Sequence, residues 1–372
     1  MWRKLLANKL IKENSMDFGI TFPSYIRAYH DVKMAEEYGF THAWFYDSQM
    51  CYSDVYATMA LAAEHSRYIK LGTLVSILGN RIAPVTAHSI ATINELAPGR
   101  VILGVGSGFT GRNVMGMPPA KLATMRHEIE VIKRLIKGEE ARYIEGNLKR
   151  DIRFLNRNNG YINVKDNIPL YMASNGPKAN DMVGELADGW VTIGLDPNYI
   201  KSGVEQIKAA AKKHGRNARS LYTTNLTNGC VLRPGEDIMS RRVIKQVGPS
   251  AILLLHTNWA PKKMAAGPFA PPEVADLAKK YFNQHIKKMK TPMAKRYQQM
   301  HAGHLTQLQP GEEKYLTPEL IKTATLTGSP GEIIDRIKEL EDAGISNIAL
   351  NVCGTDARGI IREFGNEIIA KL

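Results

Sequence analysis

Short apolar runs alternate with longer amphipathic runs over most of this 372-residue chain, and this alternation limits the folds that it can adopt. Strands that are apolar on both sides and separated by helices are typical of a parallel sheet with covered faces. Eight such repeats close most naturally into a (β/α)8 TIM barrel, an α/β fold. The predicted strands are Asp17–Phe22, His42–Tyr46, Ile69–Ile77, Val101–Val105, Ile168–Ala173, Trp190–Ile193, Leu221–Leu232 and Asn347–Val352. The predicted helices between them are Ile26–Tyr38, Val55–His65, Pro84–Leu96, Ala120–Ile136, Lys178–Ala187, Tyr199–His214 and Pro330–Ala343.

The alternative architecture is an open doubly wound sheet, which binds its ligand at one switch point. It is less favoured, because glycine loops and polar residues follow many of the predicted strands. Two segments depart from the repeat. The segment 138–167 predicts a short hairpin before the fifth strand. The Pro- and Lys-rich segment 260–326 predicts a helical insertion before the last repeat, which is either a cap over the barrel mouth or an oligomer contact. We therefore predict one barrel domain over 16–372, preceded by an extension over 1–15 that is either a short helix or the product of a start codon placed too early.

Two predicted strands run directly into glycine-containing loops. Gly106-Ser107-Gly108 follows the fourth strand, and Ser174-Asn175-Gly176 follows the fifth and leads into a helical run. Glycine lets the backbone approach a ligand closely, and a helix N-terminus offers unpaired N–H groups to an anion. Two such loops on successive strands predict one phosphate-bearing cofactor that lies across the strand ends; the alternative is that each glycine only forms a turn.

The remaining strand ends carry small hydroxyl and amide groups and few nucleophile–base pairs. In a barrel the site lies at these carboxyl ends, and a site of this composition orients a cofactor that carries the chemistry. Asp47 follows the second strand and has two interpretations. It either caps the helix that follows or, as a buried carboxylate, hydrogen-bonds substrate or cofactor.

Composition excludes several classes of protein. No apolar run reaches the roughly 18–20 residues that span a bilayer. The three cysteines lack a CxxC pair, which argues against a disulfide framework or a zinc site and fits a reducing cytoplasm. The formal charge of +13 permits nucleic-acid binding, but Lys and Arg are scattered and no reading motif is present. We expect a solvated basic surface and no nucleic acid as partner.

Three histidines in the C-terminal half, His256, His301 and His304, are considered as metal ligands or lid residues. His301 and His304 are one helical turn apart, but no carboxylate follows at the spacing of a zinc protease, so no metal site is predicted. His256 follows the apolar run Ile252–Leu255 and is either a core histidine or a lid residue.

Seven segments occur in an order that belongs to one family. They are Ala35–Asp47, Ile69–Ser76, Pro84–Leu96, Gly99–Gly108, Ala173–Pro177, Ala187–Trp190 and Thr327–Gly331. Through them the chain resembles the bacterial-luciferase-like superfamily of flavin- and deazaflavin-dependent oxidoreductases, from about Met16 to the C-terminus.

The resemblance implies a barrel whose mouth holds an isoalloxazine-type ring. Its phosphate would be held by the loops after the fourth and fifth strands, and the ring would lie near Ser76 and Asp47. It also implies a non-prolyl cis peptide within Leu74–Ser76. The implied cofactor-binding residues are Ser76, Gly106, Ser107, Gly108, Ser174, Asn175 and Gly176, and the implied catalytic residue is Asp47.

One departure from the superfamily bears on the cofactor. Many luciferases and monooxygenases have a Glu-His or Asp-His pair after the second strand, whereas this chain has Asp47-Ser48-Gln49. The Asp-Ser-Gln form resembles the branch that contains methylenetetrahydromethanopterin reductase, which uses deazaflavin hydride transfer. The sequence leaves open whether the cofactor is FMN, for monooxygenation, or the deazaflavin coenzyme F420.

The resemblance further implies a small organic substrate and a homodimer. No complete GxGxxG unit for a nicotinamide nucleotide is present, so an FMN monooxygenase would need a separate flavin reductase as partner. The substrate would be selected by the loops 25–29, 50–54 and 109–117 and by the insertion. The apolar side chains there either line a substrate pocket or serve ordinary core packing: Tyr25, Tyr52, Met115, Met117 and Trp259. Two rival functions are a non-catalytic flavin-binding protein and, less favoured, a basic nucleic-acid-binding protein.

Overall fold

Eight parallel strands close into a barrel in this computed structural model, which describes residues 16–256, 272–352 and 356–372. The strands of the described chain are β1 Asp17–Phe22, β2 His42–Phe45, β3 Lys70–Thr73, β4 Ser76–Ile77, β5 Val101–Gly106, β6 Ala141–Glu145, β7 Leu148–Ile152, β8 Leu170–Ala173, β9 Gly189–Ile193, β10 Tyr222–Thr227, β11 Gly229–Val231, β12 Leu326–Gly328 and β13 Asn347–Asn351. Around the barrel they follow the order β1, β2, β3, β5, β8, β9, β10 and β13, and β13 pairs with β1 to close it. β4 continues β3 along the edge of β5. The predicted TIM barrel is confirmed.

Helices pack around the outside of this barrel and form a separate group before the last repeat. Their bounds are α1 Tyr29–Glu37, α2 Val55–His65, α3 Ala83–Leu96, α4 Phe109–Asn113, α5 Leu122–Leu135, α6 Pro177–Leu186, α7 Pro197–Lys213, α8 Arg241–His256, α9 Pro272–Tyr281, α10 Arg296–His301, α11 Pro318–Ala324, α12 Pro330–Asp342 and α13 Ala357–Glu367. Within the described ranges, none of these helices combines the length and the apolar character that a bilayer crossing requires.

The barrel interior is filled by a few large rings that lie against glycines. Trp44 is fully buried, and a Cβ on Gly19 or Gly72 would lie 2.5 or 2.3 Å from its indole ring. Tyr171 lies against Gly189 in the same way, at 2.5 Å. These rings fit only where the facing residue has no side chain. The glycines therefore determine the packing of the lower half of the barrel, which is the half away from the carboxyl ends of the strands.

Two predicted strands are interrupted. The third divides into β3 and β4, and the peptide bond between Leu74 and Val75 in the gap is cis, as predicted for Leu74–Ser76. The seventh divides at Asn228, after which β11 leaves the barrel and pairs with β12. The predicted hairpin is present as the antiparallel pair β6 and β7.

The helical segment before the last repeat starts earlier than predicted. It begins with α8 at Arg241 rather than near residue 260, and α8 contains Pro249 in its interior. Proline in a helix interior removes one backbone hydrogen bond, so Gly248-Pro249 favours a break by sequence, and α8 is absent from the predicted helices. The segment has its own apolar core, which includes Val243, Val247, Leu255, Tyr281 and Ile321. The predicted extension 1–15, residues 260–271 of the predicted insertion and Cys353 lie outside the described residues.

Gly72→Ala tests the packing of the interior. The new Cβ would lie 2.3 Å from the Trp44 ring and 3.2 Å from the Ile102 carbonyl oxygen, so the buried indole must move. We expect the free energy of unfolding to fall by about 1–3 kcal/mol, measured by chemical denaturation. Gly331→Ala on α12, where no described atom lies within 4 Å of the new Cβ, is the matched control. Equal stability of the two variants would contradict this account.

Candidate functional site at the barrel mouth

The predicted site residues share one arc of the barrel rim. Asp47 follows β2, Ser76 starts β4, and the two glycine loops follow β5 and β8. β5 pairs with β4 on one side, with Ser76 opposite Val105, and with β8 on the other, with Val105 opposite Met172. The prediction that the loops after residues 105 and 173 lie side by side is therefore confirmed, while the roles of their residues stay predictions.

The floor of the mouth beside these loops is apolar. Val75, Ala173 and Leu226 pack on top of the interior cluster that contains Trp44 and Tyr171, and all three are only partly buried. Ile193 ends β9 two residues after Val191, which belongs to that cluster, so its side chain lies on the same face of the strand. Ile193 is 39% exposed. Such a floor offers a flat, aromatic ring an apolar surface at the end of the strands.

The loop after β5 needs its glycines for steric reasons. A Cβ on Gly106 would lie 2.5 Å from a Val75 methyl group, and one on Gly108, whose φ is +78°, would lie 2.3 Å from Ile77. The following residues are held by Arg112, whose Nε donates to the Pro118 carbonyl at 2.6 Å. The loop is therefore kept close to the third strand, with Ser107 half-buried at the rim.

The loop after β8 ends in an open helix N-terminus. The Ser174 hydroxyl donates to Asn180 Oδ1 at 2.7 Å and thus faces α6, whereas Asn175 is exposed. Gly176 is the cap residue of the ten-residue helix α6, and no described atom lies within 4 Å of the position of a Cβ there. Pro177 has no N–H, so the first free amides belong to Lys178 and Ala179. This open backbone suits an anionic group.

Asp47 is buried and has several hydrogen-bond partners. Its carboxylate accepts from Arg81 Nη1 at 2.6 and 2.8 Å, from the Ile77 backbone N–H at 3.1 Å and from Gln49 Nε2 at 2.6 Å. The cap of α2 is Asp54, which accepts from the Ala57 N–H at 2.9 Å. The interpretation of Asp47 as the cap of that helix is therefore wrong, and its predicted catalytic role is not tested by this geometry.

Two residues of the site, Tyr56 and Arg81, were missed in the sequence. The Tyr56 hydroxyl lies 2.7 Å from Ser76 Oγ, and the Arg81 guanidinium lies 5.2 Å from the centre of the Tyr56 ring. Burial raises the pKa of Tyr56 well above its usual range, so the phenol stays protonated. One signal could have found Arg81: it is the only Lys, Arg, Asp or Glu between Lys70 and Glu95.

The helical segment contacts the mouth loops through His304. Tyr52 donates to the His304 carbonyl at 2.9 Å, and His304 Nε2 lies 3.4 Å from the Thr110 hydroxyl. These contacts fit the predicted cap over the mouth. Of the residues predicted to line the substrate pocket, Tyr25 donates to Asp31, Met115 is half-buried and Met117 is exposed, while Trp259 lies outside the described residues.

His256 and His301, the other two histidines considered in the sequence, lie inside the helical segment. His301 Nδ1 is 3.4 Å from His304 Nδ1, and burial lowers the pKa of His301 to about 4. His256 Nε2 is 3.0 Å from the Tyr281 hydroxyl, which donates to Glu312, so His256 is part of the second core. Across the described ranges, the group close enough to hold a metal ion is Asp181, Glu185 and His214 on the outer helices. Its two carboxylates already pair with Lys213 and Arg126.

Three known proteins are similar to this chain in sequence or in fold. The chain is 27% identical to the 5,10-methylenetetrahydromethanopterin reductase of Methanolobus tindarius over 362 residues, which are 95% of this chain and 100% of that protein. The structure of the coenzyme F420 dependent tetrahydromethanopterin reductase from Methanopyrus kandleri superposes with a TM-score of 0.73 and 21% identity, covering 96% of this chain and 99% of that one. An FMN complex of a type II Baeyer–Villiger monooxygenase from Pseudomonas putida gives a TM-score of 0.61 and 15% identity, covering 96% and 99%.

The two structural likenesses confirm the barrel fold. The family is shown by sequence, because residues 22–347 match the model of the luciferase-like monooxygenases, a range that runs from the last residue of β1 to the first residue of β13. The chain therefore belongs to the luciferase-like monooxygenase family.

Proposed function

We propose that the protein is an oxidoreductase that transfers a hydride between the deazaflavin coenzyme F420 and a small organic substrate. The observation that carries this proposal is the rim between β4 and α6, where an apolar floor adjoins two glycine loops and an open helix N-terminus. Such an arrangement suits a flat ring joined to a phosphate. The relationship to a 5,10-methylenetetrahydromethanopterin reductase over nearly the whole chain, together with the likeness to the coenzyme F420 dependent tetrahydromethanopterin reductase, supports F420 as the carrier.

The residues of the mouth fit this group chemically. Backbone amides at Asn175, Gly176 and Lys178 would hold the phosphate, together with the Gly106–Gly108 loop, while Val75, Ala173, Ile193 and Leu226 would support the ring. When bound, a deazaflavin gives or takes a hydride at a ring carbon and does not activate oxygen. The protein would orient this carrier and exclude water from the mouth.

Monooxygenation with FMN is the second candidate. It is supported by the description of the family and by the likeness to the FMN-bound monooxygenase. In that case a separate reductase would supply reduced FMN, and one oxygen atom would enter the substrate. A purely flavin-binding role would use the same loops without turnover.

The surroundings of the protein also stay proposals. We expect a homodimer in the cytoplasm that acts on a small molecule. Cys51 and Cys230, the cysteines within the described ranges, are free thiols, in keeping with a reducing compartment.

Cofactor identity is tested by titrating the protein anaerobically with reduced F420 and, separately, with reduced FMN. We expect F420 to bind at least tenfold more tightly, equivalent to about 1.4 kcal/mol, as measured by fluorescence or absorbance. Tighter binding of FMN would favour the monooxygenase. Binding of neither would overturn the proposal.

The phosphate site is tested by Gly176→Asp. The extended backbone at Gly176 and the open space beside it accept a side chain, and Asp is a good helix cap, so the fold should be as stable as before or more so. The added negative charge would nevertheless repel a phosphate at the same amides. We expect cofactor affinity to fall by about tenfold or more, and the loss to shrink as ionic strength rises.

Gly176→Asn is the matched control, because Asn caps equally well without a charge. It should retain most of the affinity. Equal affinities of the Asp and Asn variants would show that no anion binds at this helix.

A further inference from the structure

Arg81 connects the two rim segments that follow β2 and β3. Its Nη1 donates to the Asp47 carboxylate at 2.6 and 2.8 Å, and its Nη2 donates to Asp54 at 2.8 Å. Its guanidinium carbon lies over the Tyr56 ring, 5.2 Å from the ring centre. A single side chain thus contacts the end of the second strand, the cap of α2 and an aromatic ring of α2.

Two of the three partners of Arg81, Asp47 and Tyr56, each hold one residue of the short strand β4. Asp47 accepts from the backbone N–H of Ile77, and the Tyr56 hydroxyl hydrogen-bonds Ser76 Oγ. These two residues follow Val75, whose methyl group lies beside Gly106 in the floor of the mouth. The position of the floor is therefore linked to Arg81 through two independent contacts.

Because the Asp47 carboxylate is buried, the loss of Arg81 would leave it without its cation. Its side chain is 2% exposed, and that of Arg81 is 17% exposed, so water does not replace a lost partner. A buried carboxylate without its cation is strongly unfavourable, and the rim must rearrange to relieve it. Arginine is suited to this place, because its planar fork reaches two carboxylates at once, whereas lysine is a point charge.

We propose that Arg81 is a positioning residue for the reaction at this mouth, acting through Asp47 and Tyr56 to fix Val75, Ser76 and Ile77 beneath the cofactor ring. The inference rests on the proposed function, since it assumes a ring in the mouth. It gives Asp47 the same positioning role, because Asp47 binds Arg81 and also accepts from the Ile77 N–H of the third strand.

The test compares Arg81→Gln, Arg81→Lys and Asp54→Asn with Arg216→Gln as a control. Arg216 donates to Asp188 at 3.0 Å and to two backbone carbonyls, but Asp188 precedes β9 and so lies at the opposite end of the barrel. Binding of F420 is measured by fluorescence titration, the environment of the bound ring by its absorption spectrum, and stability by chemical denaturation.

We expect Arg81→Gln to weaken binding by about tenfold or more and to shift the spectrum of the ring that still binds. Arg81→Lys should recover part of the affinity, because it keeps a cation beside Asp47. Arg216→Gln should lose stability but keep the affinity within about twofold and leave the spectrum unchanged. If Arg81→Gln does not fold, Arg81→Lys and Asp54→Asn decide, and each should weaken binding more than Arg216→Gln does.

Affinities and spectra that are the same in all Arg81 and Asp54 variants as in the wild type would overturn the inference. A loss of affinity in Arg216→Gln as large as that in Arg81→Gln would assign Arg81 a merely structural role. Failure of the wild-type protein to bind F420 or FMN is a separate outcome, which overturns the proposed function and the inference together.

Discussion

The closure of the barrel is the constraint on which the rest of this structure depends. Because β13 pairs with β1 and all eight barrel strands are parallel, every strand ends at the same rim. Residues as distant in sequence as Asp47 and Gly176 are thereby brought to one arc without any contact that joins them directly. The order of the strands also determines which loops are neighbours. β5 lies between β4 and β8, so the two glycine loops adjoin each other and the third strand.

The two ends of the barrel are packed in opposite ways. Large rings fill the lower half, where Trp44 and Tyr171 occupy the space left by glycines, and the Tyr222 hydroxyl donates to Asp17 at 2.6 Å. Above this plug the inward side chains are smaller and partly exposed, among them Val75 and Ala173. The lower half is therefore filled by buried rings, whereas the upper half presents partly exposed side chains at the strand ends.

The strands and most of the helices around the barrel were predictable, because their apolar periodicity is strong and glycine or proline marks their ends. The arc of loop residues followed from the topology alone. What could not be predicted depends on tertiary contacts. The partners of Asp47 come from Arg81, Ile77 and Gln49, and no local pattern indicates that a guanidinium folds back on a carboxylate 34 residues earlier. α8 is not among the predicted helices, because Gly248-Pro249 favours a break by sequence. Val247 and Ala251, on either side of this pair, are buried in the core of the helical segment, and this packing keeps the helix continuous.

His304 joins the helical segment to two loops of the barrel mouth. Its carbonyl is bound by Tyr52 from the loop after β2, and its ring contacts Thr110, two residues beyond Gly108 in the loop after β5. A displacement of this part of the helical segment must therefore disturb both loops together. Under the proposed function, a substrate that displaces this part of the helical segment would also shift the loop after β5, which would hold the cofactor phosphate.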